Sequence, residues 1–120
     1  MQAETFFVNN YEDIDRFKGG KLQDARLFGD GYDFQVDVDS GFYLAEIKGI
    51  VKSKGKFRLT ENEYQKAAEY KNDYIITIVL NLGRKPKFLT IENPLKNLQF
   101  KKKEVSAKVT TEYHLIGNIN

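Results

Sequence analysis

Near the N-terminus, apolar residues recur at intervals of mostly three and four. Phe6, Phe7, Tyr11, Ile14 and Phe17 follow the spacing of one helix face, which predicts an amphipathic helix over 3–17. Gly19-Gly20 ends it, and a short strand is expected over 25–28. Gly29-Asp30-Gly31 reads as a turn cluster. The period then changes to two: Phe34, Val36 and Val38 share one face of a strand over 32–38. Asp39-Ser40-Gly41 closes a hairpin into a second strand over 42–49. There Phe42 and Leu44 face one way and Tyr43, Ala45 and Ile47 the other, so this strand belongs in the middle of a sheet, covered on both sides.

After a loop rich in glycine and lysine, Thr60-Glu61-Asn62-Glu63 has the form of a capping box. Thr60 caps a helix and Glu63 reaches back to its amide. Tyr64, Ala67 and Ala68 form the apolar stripe of that helix, and Asn72-Asp73 stops it. Residues 74–82 read as a buried strand. Passing from a hairpin strand through a helix to another buried strand is a crossover, which implies parallel pairing within a mixed sheet. Residues 83–86 turn the chain into an edge strand over 87–91. Asn93-Pro94 looks like a cap followed by proline at the first helical position, opening a short helix through Leu98. Lys101-Lys102-Lys103 reads as a solvated loop, followed by a β-prone stretch over 105–116. There is no internal repeat and no low-complexity linker. The expected fold is α+β, a mixed β-sheet flanked by helices, with 1–120 as one domain.

Composition narrows the function classes. A chain of 120 residues, 41% hydrophobic and 13% aromatic, suffices for one core and leaves no room for a second domain. No apolar run is long enough to cross a bilayer, and a basic-then-apolar secretory layout is missing, so the expectation is a cytoplasmic protein with no membrane partner. Without cysteine there is no disulfide scaffold, thiolate zinc site or cysteine nucleophile. The single histidine, His114, reads as a surface or strand residue. Residues 1–47 hold ten Asp/Glu against four Lys/Arg, and residues 48–120 hold seven against fifteen. An acidic first part and a basic remainder suit a metal site beside an anionic ligand such as nucleic acid, although a solvated surface gives the same asymmetry.

Glu46 and Lys48 lie two apart on the predicted central strand and project from the face that carries Phe42 and Leu44. Buried ionised groups cost several kcal/mol each unless paired or bound to metal, roughly, so two charges ending an apolar stripe need a reason. Asp33, at the start of the neighbouring hairpin strand, is expected to come beside Glu46 or Lys48 by antiparallel pairing through the Asp39-Ser40-Gly41 turn. Two carboxylates, a backbone carbonyl and waters suit Mg²⁺, which activates water and neutralises charge on a scissile phosphate. Lys48 would orient the water or stabilise the transition state. The plain alternative is a Glu-Lys salt bridge at a strand end, with Asp33 as a turn residue. The following loop holds Lys52, Lys54, Lys56 and Arg58 with no acid among them, which suits phosphate tracking and equally a solvated loop. No element resembles a helix-turn-helix, a zinc finger or an aromatic RNA-binding signature.

The order helix, strand, hairpin, helix, strand, with Asp33 ahead of Glu46-Ile47-Lys48, resembles the PD-(D/E)XK nuclease superfamily and its restriction-endonuclease-like core. More specifically, GYDFQVDVDSGFYLAEIKGI, FRLTENEYQKAAEY, YIITIVLNLGRKP and IENPL are similar, in that order over about 30–95, to the NO VEIN C-terminal-like domain family, which also occurs in restriction and defence proteins. Gly31-Tyr32 precedes Asp33 where the superfamily name has proline, and the NO VEIN-like branch shares that form.

The resemblance implies a metal-dependent DNA endonuclease of a restriction or phage-defence system, with Mg²⁺ or Mn²⁺ held by Asp33 and Glu46, and Lys48 as the catalytic lysine. It further implies Glu4, in the first helix, as an additional metal-binding acid and Gln65, on the second, as an auxiliary catalytic group. A domain of this size would act on DNA as a homodimer or with a fused or separate motor or specificity subunit, since the chain has no Walker motif of its own. The alternatives are a catalytically inactive nuclease-like DNA-binding or protein-interaction module, or a dimeric scaffold presenting the 87–91 edge strand.

Overall fold

The computed structural model describes residues 2–105 and 110–119. Its first helix, α1 (Gln2–Asn10), is shorter than the apolar spacing predicts. Two single 3₁₀ turns, Tyr11–Asp13 and Asp15–Phe17, follow it, with Ile14 extended between them at φ −86°, ψ 120°. Asn9-Asn10 is a weak helical pair. Asn10 leaves helical geometry at φ −135°, and its Nδ2 donates to the Phe6 carbonyl, closing the helix end with a side chain. The apolar face nonetheless reaches one core, because Phe7, Ile14 and Phe17 are all buried.

The strand expected over 25–28 lies earlier, at β1 (Lys21–Asp24). Its polar residues suit an edge strand and leave no apolar run to read. Residues 25–28 form a turn instead, with Leu27 and Phe28 exposed. β2 (Phe34–Val38) and β3 (Gly41–Gly49) form the expected hairpin, Val38 opposite Gly41. After β4 (Arg58–Thr60) and α2 (Glu61–Tyr70), β5 (Tyr74–Leu80) returns parallel to β3. β6 (Lys87–Glu92) pairs antiparallel with β5, giving the mixed order β1-β2-β3-β5-β6 with β6 at an edge.

Pro94 is the first residue of the short helix α3 (Pro94–Asn97). Asn93 precedes it in the left-handed region, at φ 42°, and makes no capping bond through its side chain. Lys101-Lys102-Lys103 is a strand, not a loop. It lies in β7 (Phe100–Val105), which pairs with β8 (Thr110–Leu115), and β8 with β4, as a second sheet ordered β4-β8-β7. Backbone pairing to β8 draws the three lysines into a strand while their side chains stay exposed. Of the predicted stretch 105–116, residues 106–109 lie outside the described residues.

The fold is thus α+β, with helices on both faces of the five-stranded sheet. One face packs Ala45, Ile47, Ile75 and Val79 against Phe7 and Phe17 of the N-terminal segment. The other packs Leu44, Ile76 and Ile78 against Ala67 of α2 and Leu59, Tyr113 and Leu115 of the second sheet. Ala68 is exposed, and Tyr70 completes the stripe with Tyr64 and Ala67. Every residue of β5 is buried, each large one contributing about 1.5–3 kcal/mol. Covered on both faces, the central pair β3 and β5 is the rigid floor on which the charged residues sit. No helix among the described residues is long and apolar enough to cross a membrane.

Candidate active site at the end of the central hairpin

Asp33 immediately precedes β2, whose first residue, Phe34, pairs with Ala45, the residue before Glu46. The Asp33 backbone N–H donates to the Ala45 carbonyl at 3.0 Å, and its carbonyl accepts from Ala25 N–H at 2.8 Å. The ladder ends there. The Ile47 N–H, on the side of β3 that a longer β2 would cover, instead donates to Asp33 Oδ2 at 2.8 Å. The preceding turn is built against its neighbours. Gly31 sits at φ +90°, and a Cβ there would lie 2.5 Å from the Asn62 carbonyl oxygen of α2, so only glycine fits. The buried Tyr74 hydroxyl donates to the Gly31 carbonyl at 2.8 Å, and Asn62 Nδ2 to the Gly29 carbonyl at 3.2 Å.

Alternation along β3 puts Glu46 and Lys48 on the α2 face, as expected. Glu46 is only 4% exposed. Lys48 Nζ lies 3.3 Å from Glu46 Oε2 and 2.9 Å from Glu63 Oε1. Glu63 is the residue sequence reasoning assigned to helix capping alone. The capping box is present, with Thr60 Oγ1 accepting from Glu63 N–H and Glu63 Oε1 accepting from Thr60 N–H at 3.1 Å. The same Oε1 also accepts from Lys48. An acid in the first turn of a helix that covers a charged strand was the available signal, and capping explained it too completely.

One ammonium is therefore shared among carboxylates in a largely buried place. Burial chiefly pushes the Asp33 carboxyl up to about 6; Glu4 and Glu63 add to this, while the Ile47 hydrogen bond and Lys48 oppose it. Burial also holds Glu46 well above the usual carboxylate range; Lys48 opposes this, and Glu63 and Asp33 add to it. For Lys48 itself burial pulls downward, but Glu46 and Glu63 overcome it, so the amine is held above its ordinary value and stays charged.

Glu4 borders the site from α1 closely enough to act on Asp33, but its Oε1 is paired with Arg26 Nη1 at 3.1 Å. Arg26 is held in turn by Asp24 and lies over the Phe34 ring. Gln65 does not join the cluster: it is exposed and donates to Glu61 Oε1 at 2.8 Å. Lys52, Lys54 and Lys56 are exposed on the loop after β3, and Arg58 is exposed on β4 beside Glu112 at 3.4 Å. His114 lies on β8, as a strand residue, 3.1 Å from Glu112.

The donors suit a hard divalent cation in kind. Asp33 and Glu46 are neighbouring carboxylates, each with one oxygen committed, to Ile47 N–H and to Lys48. Among the described residues no three His, Cys, Asp or Glu side chains are grouped to hold an ion. Two carboxylates leave most positions to water, the arrangement Mg²⁺ prefers.

Residues 3–91 match the family model described as Protein NO VEIN, C-terminal. That span runs from α1 into β6. No curated protein and no solved structure matches the chain.

Proposed function

We propose, from the premise that the chain belongs to the NO VEIN C-terminal family, that Asp33, Glu46 and Lys48 form the hydrolytic centre of a metal-dependent DNA endonuclease of the PD-(D/E)XK type. The observation that carries this reading is the surplus of negative charge: Glu46 and Glu63 both pair with Lys48, and Asp33 lies close enough to act on Glu46, in a site that is mostly shielded from water. A purely structural pair would balance its charges, because an unbalanced buried carboxylate lowers stability. A divalent cation complements such a surplus.

Asp33 and Glu46, with the Ile47 carbonyl, would hold Mg²⁺ or Mn²⁺, which when bound supplies an acidified water and positive charge toward a phosphate. Lys48 keeps its proton and donates to the negative charge that develops in phosphodiester hydrolysis. Glu63 fixes the lysine, and is a positioning residue. The order of elements around the hairpin supports the restriction-endonuclease-like reading, and the family resemblance supports a restriction or phage-defence setting.

Incubating plasmid and linear DNA with the protein and Mg²⁺ or Mn²⁺ tests this directly. Asp33→Ala and Lys48→Ala are each expected to lose at least about 10²-fold in rate. Equal activity in wild type and variants overturns the assignment. A second reading, a non-catalytic nuclease-like module, draws support from Lys48 being held by two carboxylates at once. Calorimetry with Mn²⁺ separates the two: the active reading requires binding that Glu46→Ala weakens.

A further inference from the structure

The second sheet has one apolar side and one basic side. Its register aligns Arg58, His114 and Lys101 in one row and Thr60, Glu112 and Lys103 in another. The row between them, Leu59, Tyr113 and Lys102, faces α2, where Tyr113 stacks on Tyr64 with ring centroids 3.6 Å apart. By alternation, Arg58, Lys101 and Lys103 share the outer face, and Lys56 lies on the loop two residues before Arg58. All four cations are exposed. The one carboxylate among these rows, Glu112, is already taken by Arg58 and His114.

We infer that this outer face, with Lys56, Arg58, Lys101 and Lys103, is a platform for a phosphodiester backbone that leads DNA to the carboxylate site. The inference rests on the nucleolytic reading above and deepens it. Same-face residues along a strand are about 6.8 Å apart, the axial rise of two phosphates on one DNA strand at about 3.4 Å each. The platform is also tied to the site. β4 ends at Thr60, which caps α2, and Glu63 of that helix holds Lys48. Arg58 is five residues from Glu63, a reach of at most about 17 Å. β7 and β8 lie beyond the matched span 3–91. Lysines on an edge strand also deter unwanted pairing.

The test is fluorescence anisotropy of the full chain with a labelled DNA duplex, in EDTA, over about 50–200 mM salt. Wild type is compared with K101A/K103A, and circular dichroism checks that both are folded. Losing two phosphate contacts should make the log–log salt slope shallower by about 1.8 and shrink the affinity loss over that range about tenfold. An unchanged slope and affinity overturn the platform. An RNA duplex and a polyglutamate peptide serve as competitors. Tighter binding of either than of DNA, with the same dependence on Lys101 and Lys103, overturns DNA as the occupant. Because EDTA excludes cleavage, the two readings fail separately: a lysine-dependent slope with intact plasmid in Mn²⁺ spares the platform and defeats the nuclease.

Discussion

Replacing Asp33 with asparagine should make the metal-free protein more stable, although it removes a proposed ligand. Burial raises the Asp33 carboxyl from 3.8 to about 6 in the folded state. The folded protein therefore binds this proton more tightly than the unfolded chain does. This group's contribution to stability is greatest below pH 3.8, falls as pH rises through the window to about 6, and is lost above it. Unscreened, that difference corresponds to about 3 kcal/mol. Asp33 is partly exposed, so solvent screening reduces it to roughly 1–2 kcal/mol. Asparagine keeps an oxygen to accept from Ile47 N–H and never ionises. Thermal unfolding in EDTA at pH 7.5 should show Asp33→Asn melting about 3–10 °C higher, with the advantage gone near pH 4. Mn²⁺ should then raise the wild-type melting temperature and leave the variant nearly unmoved. A variant less stable than wild type at pH 7.5, or an advantage independent of pH, would refute the reasoning.

Lys48→Met leaves Glu46 buried without its cation and should cost about 3–5 kcal/mol at pH 8; acidification should recover much of it as Glu46 protonates, which a pH series of chemical denaturation would show. Gly31→Ala forces a Cβ within 2.5 Å of the Asn62 carbonyl at a φ of +90°, an expected loss of about 2–4 kcal/mol by urea titration. Thr77 on β5 is buried, and its Oγ1 has no hydrogen-bond partner among the described residues. Thr77→Val should therefore stabilise by about 1 kcal/mol, and a melting temperature unchanged or lowered would contradict it.

The central hairpin, the capped helix and the crossover strand were legible because each is decided by neighbours along the chain. Period-two alternation in 34–38, the Thr60 to Glu63 spacing and the continuous apolar run from Tyr74 all act within a few residues. Elements decided by distant partners were not legible. β1 is polar and exists because Phe34–Val38 offers it a ladder. Lys101–Lys103 became a strand because β8 pairs with it. The helix expected over 3–17 stops at Asn10, where a side-chain bond to Phe6 and a change of φ close it, although its apolar face still reaches the predicted core.

The candidate site divides in the same way. That Asp33, Glu46 and Lys48 share one end of the central hairpin was legible in the sequence, from strand alternation, turn chemistry and the family resemblance together. Which carboxylates compete for Lys48 was a matter for the tertiary structure. Glu63 reaches it because α2 packs its first turn over β3, Glu4 is drawn to Arg26, and Gln65 turns to solvent. The charge balance of the site depends on these through-space neighbours, because burial and distance set the energy of a charge and neither can be read from its position along the chain.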